Sequence, residues 1–139
     1  MLAHMNSNSH FQQLLQAAAA QPSPQRLLFV FAGAELPDDA TPVQRARFEA
    51  GEGGALQPLA CVDKHPEELS QFEALVQESR ATCPPWRVVF IAALGGTGNQ
   101  GPSDGQVDAG LGNMVERVRV GRLQGMLALD AQGNPVSFE

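Results

Sequence analysis

One of the two cysteines, the only lysine and one of the three histidines fall within five residues, Cys61-Val62-Asp63-Lys64-His65. A thiolate forms at neutral pH beside a cation, and Lys64 or a protonated His65 stands close enough in sequence to supply one. The competing structural reading makes Cys61 a small core residue, with Asp63, Lys64 and His65 as solvated residues leading into a helix. Free cysteine is among the most buried residue types, which favours that second reading. Elsewhere no serine or cysteine is paired with the base and orienting acid that nucleophilic catalysis requires.

Two glycine-bearing segments are the other candidates. Gly33-Ala34-Glu35-Leu36-Pro37 and Gly95-Gly96-Thr97-Gly98-Asn99 each follow an apolar run. Exposed backbone N–H groups in such a turn, next to a helix N-terminus, can hold a phosphate or carboxylate. Gly96 to Gly101 also reads G-x-G-x-x-G, the letters of a dinucleotide fingerprint. The context differs: Pro102 precedes the helix, and the next strand-end acid, Asp130, lies 29 residues beyond Gly101 rather than about 20. No lysine follows to grip a phosphate. Asp38 and Asp39 could join Glu35 around a cation, but acids in that position more often precede and cap a helix. Trp86, the only tryptophan, reads as a packing residue at the end of a strand.

The elements that must position these residues are marked by the apolar pattern. Leu27-Leu28-Phe29-Val30-Phe31 and Val88-Val89-Phe90-Ile91-Ala92-Ala93-Leu94 run without in/out alternation. Such runs fit strands covered on both faces, as in a parallel sheet flanked by helices. A first helix is expected from a capping box at Ser9-His10-Phe11-Gln12, with Phe11, Leu14, Leu15 and Ala18 at helical spacing. Thr41-Pro42-Val43-Gln44 opens a short second helix ending at Gly51-Glu52-Gly53-Gly54. A strand over about Leu56 to Val62 carries Pro58 and belongs at a sheet edge. His65-Pro66-Glu67-Glu68 starts a helix whose stripe is Leu69, Phe72, Leu75 and Val76. Ser103-Asp104-Gly105-Gln106 opens the last helix, lined by Val107, Leu111, Met114, Val115 and Val118 and stopped at Gly121. Met126 to Leu129 is a fourth strand, and a turn at Gln132-Gly133-Asn134-Pro135 leads to a short fifth, Val136 to Phe138.

This order predicts a loose leader over residues 1–8 and one three-layer α/β domain over residues 9–139. The expected sheet is mostly parallel, of four or five strands in the order 2-1-3-4-5, a truncated flavodoxin-like arrangement. A ferredoxin-like α+β sandwich is the alternative. In the first arrangement the Gly33 and Gly95 loops face each other across a crevice at the carboxyl ends of adjacent strands.

Bulk composition narrows the function. The 139 residues are 43% hydrophobic and 17% charged, with a net charge of −6, so the chain is globular and carries no basic stripe for nucleic acid or anionic lipid. Two cysteines are too few for a zinc site or a disulfide framework. No run reaches the roughly 18 apolar residues of a spanning helix, and no cationic signal segment opens the chain, so the cytoplasm is the expected address.

The segments Phe29-Val30-Phe31-Ala32-Gly33-Ala34-Glu35-Leu36-Pro37 and Phe48-Glu49-Ala50-Gly51-Glu52-Gly53-Gly54-Ala55, with Cys61-Val62-Asp63-Lys64 and Gly121-Arg122…Gly125, carry a resemblance. The chain resembles a group of small bacterial proteins often labelled "ribonucleotide reductase subunit alpha". Reductase large subunits are far longer and need several cysteines for radical and electron transfer. The resemblance therefore implies at most an accessory or partner role, and it carries over no catalytic residue.

The expectation is a non-catalytic binding module for a small anionic ligand or a protein partner, with or without a homodimer, at the strand-end loops. Its binding residues are Gly33, Glu35, Asp63, Gly95, Gly96, Thr97, Gly98 and Asn99, with no cofactor and no metal. The alternatives are a thiol-dependent or small hydrolytic enzyme on Cys61, Lys64 and His65, and a structural or accessory subunit.

Overall fold

The computed structural model describes residues 10–36, 38–50 and 55–136. The leader, the Ser9 cap, Pro37, the Gly51–Gly54 stop and the end of the expected fifth strand lie outside the described residues.

The elements are α1 (His10–Ala19), β1 (Gln25–Glu35), α2 (Pro42–Glu49), β2 (Ala55–Lys64), α3 (Phe72–Thr82), β3 (Val88–Gly95), α4 (Asp104–Val120) and β4 (Leu127–Leu129). Their boundaries follow local chemistry. Thr41 Oγ1 accepts from the Gln44 N–H at 3.1 Å while Gln44 Oε1 accepts from the Thr41 N–H at 2.9 Å. Ser103 and Gln106 repeat this reciprocal cap at 3.1 and 2.8 Å, satisfying N–H groups that a helix start leaves without partners. Gly121 closes α4 at φ 80°, and the Arg122 N–H reaches back to the Arg117 carbonyl at 2.8 Å. That is the left-handed stop a glycine permits. His65-Pro66-Glu67-Glu68 forms a separate 3-10 turn over Pro66–Glu68, not the start of α3. Leu69 is extended, and the Gln12 side chain donates to the Ser70 carbonyl at 2.6 Å, which holds the break open.

The four strands lie in the order β2-β1-β3-β4, and every neighbouring pair is antiparallel. This overturns the mostly parallel, flavodoxin-like sheet; the molecule is an α+β fold, with which the ferredoxin-like alternative is compatible. The apolar runs misled on direction for a physical reason. Along β1, Leu27, Phe29 and Phe31 enter one core cluster with Phe11, Phe72, Leu75 and Val76 from α1 and α3. Leu28, Val30 and Ala32 enter the other, with Val107, Met114 and Val118 from α4. Both faces are covered, so both phases of the strand must be apolar whichever way its neighbours run. Each large side chain so buried stabilises the fold by roughly 1.5–3 kcal/mol.

The turnaround between β1 and β2 is visible in α2. Its sequence, Pro-Val-Gln-Arg-Ala-Arg-Phe-Glu, has no continuous apolar stripe, and none of its residues is buried. A helix that cannot pack on the sheet cannot serve as a crossover, so the chain returns beside β1 antiparallel. Half-buried Phe48 ties α2 down through the Arg87 guanidinium, 5.2 Å from its ring centre. Pro58 sits in the edge strand at a bulge: Phe31 pairs with Ala60 and Ala32 with Pro58, leaving Leu59 extra. The expected fifth strand reduces, among the described residues, to one bridge between Leu129 and Pro135.

Candidate functional site

Register decides what meets what. Gln25 pairs with Gly95 and Leu27 with Lys64, so one end of the sheet gathers the start of β1 with the ends of β2 and β3. Gly33 pairs with Gln57 and Glu35 with Ala55 at the other end. Ten residue steps of β1, about 34 Å of extended chain, separate the two. The crevice expected between the Gly33 and Gly95 loops therefore does not exist. Asp63, Lys64 and His65 instead join Gly95, Gly96, Thr97, Gly98 and Asn99.

The Gly95 loop is a tight hairpin. Thr97 and Gln100 exchange N–H to carbonyl bonds of 2.9 and 3.0 Å, and the Gly96 N–H donates to the Pro24 carbonyl at 3.0 Å. Gly98 takes the first central position at φ 60°, as a type II′ turn demands. A Cβ on Gly96 would lie 1.9 Å from the Gln100 carbonyl oxygen, so that position admits only glycine. Three N–H groups of the kind that cradle a phosphate are thus taken up within the turn and by the Pro24 carbonyl.

Strand alternation separates the thiol from its expected cation. Cys61 pairs with Val30 and Asp63 with Leu28, which places them on the α4 face; Lys64 pairs with Leu27 on the opposite face. There Lys64 Nζ meets Glu78 Oε1 at 2.8 Å. Asp63 Oδ2 accepts from Arg26 Nη1 at 2.6 Å, with the two side chains 15% (Arg26) and 34% (Asp63) exposed. The buried Arg26 Nε has no hydrogen-bond partner. Cys61 itself is exposed, not a core residue, while half-buried Cys83 has its thiol pushed above the ordinary range by desolvation. Trp86 is the strand-end packing residue expected: its ring lies 5.1 Å from that of Phe31, and its N–H donates to buried Ser79 Oγ at 2.8 Å.

The Gly95 end opens into a groove of about 700 Å³. Its apolar lining is Leu15, Ala18 and Ala19 of α1 with Leu69, Pro22, Pro24 and Pro66, and His65, Glu67 and Asn99 line it too. Gln16, Gln21 and Gln25 add amide donors and acceptors, and among the described residues no lysine or arginine lines it. The sequence reading named His65 and Asn99 but missed the contribution of α1 and Glu67. The available signal was three prolines at element ends, Pro22, Pro24 and Pro66, which bring rigid apolar rings to one place. A smaller hollow of about 400 Å³ lies between Gly121, Leu123, Met126 and Pro135. Among the described residues no group of three or more His, Cys, Asp or Glu could hold a metal ion, and no helix is long and apolar enough to cross a membrane. Comparison with protein families, with curated proteins and with solved structures returns no match.

Proposed function

We propose that this chain is a non-catalytic binding module, one domain over residues 9–139 working in the cytoplasm, that takes a segment of a protein partner in the groove at the Gly95 end. The groove's composition carries the reading: an apolar lining with three prolines, together with amides, an imidazole and one carboxylate. Such a surface buries apolar side chains and answers backbone polar groups, as peptide grooves do. The small-anion version has less support, since among the described residues no lysine or arginine lines the groove and three N–H groups of the Gly95 loop are already committed. An accessory-subunit role is a form of the same reading. Thiol chemistry on Cys61 rests on its exposure alone, because Lys64 is held by Glu78 on the other face.

Thermal shift tests this reading with pooled short peptides and, separately, phosphorylated metabolites, on wild-type protein and on Ala19→Trp, which fills the groove from an exposed helix position. A ligand at 100 times its Kd stabilises by about 2.7 kcal/mol. The expected result is a peptide-induced rise in Tm in wild type that Ala19→Trp abolishes. A saturable rise from metabolites that Ala19→Trp leaves intact would overturn it.

A further inference from the structure

We infer that the groove selects a basic peptide segment, one that presents a lysine or arginine beside Glu67 while its apolar side chains lie against Leu15, Ala19 and Leu69. This rests on the groove being a peptide site. The argument is a charge inventory of that end of the molecule. Asp63 is matched by Arg26 and Glu78 by Lys64, at 2.6 and 2.8 Å. Glu68 is spent on the His65 N–H at 2.7 Å. The exposed Glu67, which lines the groove, makes no side-chain hydrogen bond or ion pair with any described residue. Among the described residues the groove lining therefore carries one carboxylate, Glu67, with the His65 imidazole near it in sequence and no lysine or arginine.

α1 adds to this field. Its last turn, which lines the groove, carries no basic residue to offset the partial negative charge at a helix C-terminus. The Gln16, Ala17 and Ala18 carbonyls are taken by the Ala20 N–H, the Gln21 side chain and the Gln21 N–H, which leaves the dipole itself without a counter-charge. A net charge of −6 draws a cationic partner at longer range. An acidic peptide would meet repulsion from all three sources.

Selection from a displayed library of random short peptides tests this, run in parallel on wild type, Glu67→Lys and Ala19→Trp, each confirmed folded by circular dichroism. Wild type should enrich lysine and arginine beside apolar residues; Glu67→Lys should lose that bias. A selected peptide should bind Glu67→Gln about fivefold more weakly than wild type, the scale of one exposed ion pair. Peptides that need the groove but show no basic preference would overturn the charge assignment and leave the peptide site standing. A selection that Ala19→Trp does not diminish would overturn the site itself. Self-association by light scattering, abolished in Ala19→Trp, would give the groove to a second copy and likewise overturn the assignment.

Discussion

Gln25, the first residue of β1, is the backbone partner of Gly95, the last residue of β3. That one pairing reverses the two central strands relative to each other. It brings the α1–β1 turn, the end of β2 and the Gly95 hairpin to a single edge of the molecule. The groove exists because of it, and the crevice expected from parallel strands does not.

The glycines of that region divide by what surrounds them. Gly96→Ala would set a methyl 1.9 Å from the Gln100 carbonyl oxygen, so urea unfolding should show a loss of about 3 kcal/mol. Within α4, Gly112 has open space around it, whereas a Cβ on Gly110 would lie 2.9 Å from Leu28 Cδ1 and 3.6 Å from Leu94 Cδ2. Gly112→Ala should stabilise by about 0.5–1 kcal/mol through helix propensity. Gly110→Ala should fall below Gly112→Ala in stability, because buried Leu28 has little room to yield. Equal gains at both positions would refute the close approach of α4 to the sheet.

How much of this the sequence disclosed depends on how local each signal is. The caps at Thr41 and Ser103 and the stop at Gly121 were legible because a few adjacent residues make all their hydrogen bonds. The placement of β2 at an edge followed from Pro58 alone. Strand direction was not legible from Leu27–Phe31 or Val88–Leu94, since burial on both faces erases the alternation that separates sheet types. The weak apolar stripe of α2, none of whose residues is buried, held that information. The groove depends on register between residues as distant as Gln25 and Gly95, which no local pattern encodes. Glu67 was legible as a helix-start acid, but not as an anion left without a partner.

The Arg26–Asp63 pair is half-shielded, and the Arg26 Nε already lacks an acceptor. Asp63→Asn should therefore cost about 2 kcal/mol in denaturant unfolding, the scale of a hydrogen bond between charged groups at a partly buried site. Glu116→Gln breaks the Glu116–Arg119 pair, whose side chains are 55% and 64% exposed. It should change stability by no more than about 0.5 kcal/mol. Equal effects would mean that Asp63 is as well solvated as Glu116.

Cysteine reactivity should separate by burial. Exposed Cys61 should be alkylated by iodoacetamide in the native state, and Cys83 more slowly, because desolvation holds its thiol protonated above the ordinary range. The sign for stability follows from linkage. As pH rises past the ordinary thiol range, the unfolded chain gives up the Cys83 proton first, so stability falls until the folded thiol also ionises. Cys83→Ala should flatten that alkaline decline. A mass-mapped time course in which Cys83 reacts before Cys61 would contradict the assignment.

The most direct test of the central claim is paramagnetic relaxation from a nitroxide at Asp38→Cys, just past the end of β1, in a Cys61→Ser, Cys83→Ala background. The antiparallel arrangement predicts that the Val88 amide, at the β3 start beside Ala32, is broadened while Gly98 and Asn99 stay sharp at the far end. Broadening of Gly98 and Asn99 would place the two glycine loops side by side and contradict the account.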